Sequence, residues 1–197
     1  MKAVIAVLLL ASIIFCTSTE LKKTKKKVAP VVTVGYLLYE RGHNNVTWKS
    51  KFNSSLENVH KNASWWLLNQ IFYRLKLRTW NVMLVDSDMS SKLDNLKKKD
   101  GDVDPFEALK YVNQKAKGIT NPPDILCLVT QTPLTIYKGG FHSYHPLCKV
   151  VVPLLLTYNP TNDTATGESL GFLIRDTLNI TNVHSWVYKT SEEERKQ

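Results

Sequence analysis

Asp124–Thr130, DILCLVT, admits few folds. A strand with one face in water alternates apolar and polar residues, whereas Ile125–Val129 is apolar without interruption. Such a run belongs in the middle of a sheet covered on both faces, which requires helices on each side of the sheet. The rest of the chain must therefore supply those helices and further strands, and the class is α/β.

The candidates follow in order. Val28–Tyr39 is β-branched and aromatic and reads as a largely buried first strand. Ser54-Ser55-Leu56-Glu57 has the pattern of a capping box, placing a long helix from there to about Leu77. Leu56, Val59, Ala63, Leu67, Ile71 and Leu75 form its inner stripe, with Trp65 and Trp66 expected to pack in the core. Thr79–Val85 reads as a second strand, followed by a polar, charged loop through Lys99. Its aspartates, with Asp100, Asp102 and Asp104, lack the ordered twelve-residue spacing of a calcium loop. Asp104-Pro105-Phe106-Glu107 opens another helix, with Phe106, Leu109, Val112 and Ala116 as its core face and Gly118 near its end. After the apolar strand, Lys138-Gly139-Gly140 turns the chain into Phe141–Cys148 and then Lys149–Leu156, where Pro153 predicts an edge position or a bulge. Asp163–Leu178 reads as a closing helix with Leu170, Leu173, Ile174 and Leu178 at helical spacing.

The flanks set the compartment. Residues 1–18 combine an early lysine, an apolar run and small residues at a cut site, and are expected to be a secretory signal peptide. No later stretch reaches about 18 uninterrupted apolar residues, so no transmembrane segment is expected. Cleavage leaves one domain, 28–188, between a basic arm, 19–27, and a charged tail, 189–197. Once Cys16 departs, Cys127 and Cys148 form an even pair, for which a disulfide is expected and a free thiol nucleophile is the alternative. Glycosylation sequons stand at Asn45, Asn53, Asn62, Asn162 and Asn179. The formal net charge is +9, and Lys22, Lys23, Lys25, Lys26 and Lys27 concentrate part of it in the arm, which suits a glycosaminoglycan or another anionic surface. Secretion argues against nucleic acid as a partner.

In order and spacing these segments resemble the catalytic domain of reprolysin (adamalysin-type) metzincin metalloproteases, particularly the compact salivary forms of ticks. The resemblance runs through Val31–Leu38, Leu56–Leu77, Trp80–Val85, Asp104–Ala116, Asp124–Thr130, Gly140–Cys148 and Thr164–Leu178. It implies a metzincin-like three-layer sandwich with long helices and a mixed, mostly parallel sheet, lacking the family's C-terminal Met-turn subdomain. It also places the zinc motif H-E-x-x-H-x-x-G-x-x-H on Gly167, Glu168, Gly171, Ile174 and Thr177. Only the glutamate survives.

Zinc hydrolysis needs about three protein ligands to hold a metal-bound water of lowered pKa, and glycine offers none. The expectation is a secreted pseudoprotease without a cofactor, with Glu168 as a remnant, acting by binding an extracellular or host protein. One alternative is an active zinc endopeptidase using atypical ligands among His142, His145 and His184; another is a small-ligand carrier of the lipocalin type. His142-x-x-His145-x-x-Cys148 is the densest group of potential ligands, although residues three apart on a strand face opposite sides. A serine triad finds no G-x-S-x-G elbow.

Overall fold

The computed structural model describes residues 29–41, 46–96, 102–143, 145, 147 and 149–178. The signal segment, the basic arm with its lysines, the charged tail, Asn45, Asn179, Cys148 and His184 lie outside the described residues.

Five strands form one sheet in the order β2-β1-β3-β5-β4. Strands β1 (Val31–Leu38), β2 (Lys76–Leu84), β3 (Ile125–Thr130) and β5 (Val152–Thr157) are parallel, and β4 (Gly140–His142) is antiparallel to β5 at the edge. The apolar run is the central strand, buried at every position. Ile125, Cys127 and Val129 face a core shared with helices α1 (Lys49–Ile71) and α4 (Asp163–Arg175). Leu126 and Leu128 face a second core shared with α2 (Ser87–Asn95) and α3 (Pro105–Lys117). The result is a mixed, mostly parallel sheet between two helical layers. A lipocalin-type carrier needs about eight strands closed into a barrel; the open sheet and the 23-residue helix α1 remove that alternative.

Helix α1 begins upstream of the capping-box pattern. Its Trp48 cap makes no side-chain hydrogen bond, and the Ser54 and Ser55 hydroxyls donate to the carbonyls of Lys51 and Phe52 inside the helix, at 2.8 and 2.9 Å. Aromatic packing anchors the early turns: Phe52 sits edge-on to Trp48 and Tyr158, with centroids 5.9 and 5.0 Å away. Phe72, in the left-handed conformation at φ 53°, ends the helix short of Leu77, and β2 starts at Lys76. Trp65 is 62% exposed, so only Trp66 of the pair packs partly inward.

The charged stretch expected as loop contains α2. Asp86 caps it, its carboxylate accepting from the Met89 N–H at 2.8 Å, while Met89 and Leu93 bury one turn apart. Asp86→Ala is expected to lower unfolding stability by about 1 kcal/mol and Asp86→Asn by much less, read from urea midpoints. Equal losses would show that charge rather than capping matters. Asp104 caps α3 by accepting from Phe106 N–H at 2.9 Å. Phe106 itself lies outside the core at 63% exposure, because Ala108 takes the inward place and two residues turn a helix about 200°.

Pro153 does not put β5 at an edge, since that strand pairs with both β3 and β4. Val152 donates to Asp124 O on the β3 side. Since alternate N–H groups point to opposite edges, the Pro153 nitrogen falls on the β4 side, where pairing stops at Leu154. At the other edge Trp80 is an extra residue between the pairs Val34–Thr79 and Gly35–Asn81, and the Asn81 side chain accepts from Val82 N–H at 2.8 Å. This bulge blunts the long β2 edge. Among the described residues no helix is long and apolar enough to cross a membrane.

Candidate functional site

Where α4 approaches the β4 edge, the two leave an open cleft of about 430 Å³. Helix α4 supplies Glu168, Ser169, Phe172 and Leu173, α1 supplies Trp66, and the turn into β4 supplies Tyr137 and Lys138. The Arg175 guanidinium lies over Phe172 and Trp66, 4.7 and 5.6 Å from the ring centroids, and the two rings meet edge-on at 6.2 Å. Beside the cleft, Tyr137 stacks on Phe141 at 4.9 Å and Phe106 meets the same ring edge-on at 5.0 Å. Phe172 and Tyr137 are about half exposed and Ile136 is 70% exposed. Large exposed apolar patches are common at interaction sites, and tryptophan, tyrosine and arginine are the side chains over-represented at interface hot spots.

The zinc frame sits differently. Only Glu168 is exposed and lines the cleft. Gly167 and Gly171 face α1: a Cβ at 167 would stand 2.6 Å from Asn62 Cβ and 2.8 Å from Val59 O, and one at 171 would stand 2.9 Å from the Trp66 ring. Ile174 is in the core, and the buried Thr177 hydroxyl donates to the Ile174 carbonyl at 2.7 Å. The glycines therefore have a structural reason of their own, the close approach of two helices. An imidazole at either position would point into α1, so these residues do not fit a zinc ion. Among the described residues no three His, Cys, Asp or Glu side chains converge as metal ligands.

The histidines of the second candidate group are engaged separately. His142 Nε2 is 3.3 Å from Asp176 Oδ2, and Asp176 also receives Arg175 Nε at 2.7 Å. His145 Nδ1 lies 3.1 Å from both the hydroxyl and the carbonyl oxygen of Ser143. Cys127, expected in a disulfide with Cys148, stands as a free, fully buried thiol. Burial pushes it far above the ordinary thiol range, which withholds the thiolate a nucleophile requires.

Of the sequons, Asn53 is exposed on α1. Asn162 caps α4, its Oδ1 accepting from Ala165 N–H at 2.9 Å. Asn62 is half-buried against α4 and donates to Thr164 Oγ1 at 3.4 Å.

One polar pair escapes the sequence-level reading. The Tyr36 hydroxyl and His60 Nε2 are hydrogen-bonded at 2.6 Å inside the core shared by β1 and α1. Burial of the imidazole lowers the His60 pKa from 6.5 to about 4, and burial raises that of Tyr36 well above its ordinary value. The signal lay in spacing, since His60 is four residues after Leu56 on the inner stripe.

No protein-family model and no curated protein matches this chain. The functional reading rests on the fold and the cleft.

Proposed function

We propose that this chain is a secreted, non-catalytic domain of metzincin-like architecture that binds an extracellular or host protein through the cleft between α4 and β4. The observation that carries this reading is that the zinc frame is split between two faces of one helix: Glu168 faces the cleft, while Gly167 and Gly171 are packed on α1. A carboxylate without a metal has no activated water to direct. The cleft instead offers the aromatic anchors Trp66, Tyr137 and Phe172, with Arg175 held over two of these rings, and lining charges of both signs at Glu168 and Lys138, which suits a protein partner with an apolar side chain to insert. The basic arm with Lys22, Lys23, Lys25, Lys26 and Lys27 adds attraction to glycosaminoglycan or other anionic surfaces near that partner.

Elemental analysis of the purified protein tests the non-catalytic reading. The expected result is zinc well below one equivalent and no chelator-sensitive peptidase activity. Stoichiometric zinc with chelator-sensitive cleavage would overturn it. In that event, loss of the metal in the His142→Ala/His145→Ala pair would point to the atypical-ligand protease.

A further inference from the structure

We propose that N-linked oligosaccharide is carried at Asn53 and Asn162 but not at Asn62, so that sugars screen one end of the α1–α4 layer and leave the aromatic cleft bare. The proposal rests on secretion, which belongs to the functional reading above. In the transfer, the asparagine Nδ2 forms a bond to the anomeric carbon of a lipid-linked oligosaccharide pyrophosphate. The bond from that carbon to the pyrophosphate oxygen breaks, the lipid pyrophosphate leaves, and one Nδ2 proton is released.

Each of the three positions answers differently to a sugar on Nδ2. Asn53 is exposed on α1, and the core faces of that helix are turned away from it. Asn162 uses its Oδ1, not its Nδ2, to cap α4, so glycosylation leaves the cap intact. Asn62 lies in the seam between the two helices. Its Cβ occupies the space that Gly167 leaves open, and its Nδ2 is directed at Thr164 Oγ1 on α4. A branched sugar on that nitrogen would compete with the approach of α4.

The arrangement has a spatial consequence. Asn58 of α1 donates to Asp163 of α4 at 3.3 Å, which brings the Asn162 cap alongside the early turns of α1, where Asn53 also lies. Trp66, in the cleft, lies further along the same helix, thirteen residues beyond Asn53 and eight beyond Asn58, or about 20 and 12 Å at 1.5 Å per residue. Both sugar chains therefore start toward one end of α1, with the aromatic wall toward the other.

The test is site-resolved mass spectrometry of the full chain secreted from eukaryotic cells, after enzymatic deglycosylation in heavy-oxygen water, which labels each formerly occupied asparagine as aspartate. Label at Asn53 and Asn162 with none at Asn62 is the expected result. Label at Asn62 comparable to the other two overturns the proposal. Label at Asn45 or Asn179 alone also overturns it while leaving secretion standing, and label at no sequon overturns both. As an independent readout, Asn53→Gln and Asn162→Asp, the latter removing a sequon while keeping a side-chain oxygen to cap α4, should each increase gel mobility by one glycan. Asn62→Gln should leave mobility unchanged.

Discussion

Gly167→Ala is expected to destabilise the protein by about 2 kcal/mol, where most glycine-to-alanine changes inside helices stabilise. Alanine gains about 1 kcal/mol over glycine in helix propensity. Overpacking costs about 1–3 kcal/mol, and the added Cβ would meet Asn62 Cβ at 2.6 Å and the Val59 carbonyl oxygen at 2.8 Å, neither of them the yielding end of a long side chain. The steric loss should reach or exceed the top of that range, and the melting temperature should fall by roughly 6 °C. Gly171→Ala should cost less, because its closest contacts, the Trp66 ring at 2.9 Å and the Ala63 carbonyl oxygen at 3.1 Å, are both looser than those at 167. Urea denaturation of the two variants checks this, and a Gly167→Ala protein as stable as the parent would refute the close-packed seam. The double change Gly167→His/Gly171→His sharpens the test. A metal frame facing the cleft would regain zinc, whereas the seam predicts no zinc and loss of cooperative unfolding.

Stability should also fall on mild acidification, through His60. In the folded protein the imidazole stays neutral down to about pH 4, while in the unfolded chain it protonates near 6.5. Between these values the unfolded state holds the extra proton, so stability rises with pH across the window and is lost as pH drops through it. Fully expressed, a shift of that size amounts to about 3 kcal/mol. Below pH 4 both states are protonated and the slope from this group ends. His60→Leu should flatten the dependence between pH 6.5 and 4, leaving that due to the carboxylates. Identical slopes for parent and variant in urea unfolding would remove His60 as the cause. Tyr36→Phe should cost about 1–3 kcal/mol at neutral pH, because it leaves Nε2 buried without its hydrogen-bond partner.

The parts of the fold legible in the sequence are those where burial alone dictates residue type. Ile125–Val129 is apolar because helices cover both its faces, and that demand reads directly as a central strand. Helix α2 is harder to see, since it buries only Met89 and Leu93 among charged neighbours and its clearest signal is the Asp86 cap. The start of α1 is misplaced by a pattern that satisfies the capping-box rule inside a continuous helix, although Phe52, four residues before Leu56, already continues the inner stripe. Phe106 and Trp65 illustrate a different limit: an apolar side chain at helical spacing is not thereby inside. The cleft itself joins Trp66, Tyr137 and Phe172, which only the tertiary fold brings together. The two glycines read as vacated ligand positions in a motif frame, and as small residues one turn apart they read equally well as a helix contact. Only the position of α1 separates these readings.

That contact also bears on the order in which the chain assembles. The hydrogen bonds Asn58–Asp163 and Asn62–Thr164 join residues 105 and 102 positions apart. Closing so long a loop costs entropy that two exposed polar contacts cannot repay, so the seam depends on the apolar core that Val59, Ala63 and Leu67 share with Leu170 and Ile174, and it is expected to form once the parallel strands have brought the helices to the same face of the sheet. Helix α4 is therefore expected to dock late, so that Gly167→Ala speeds unfolding more than it slows refolding.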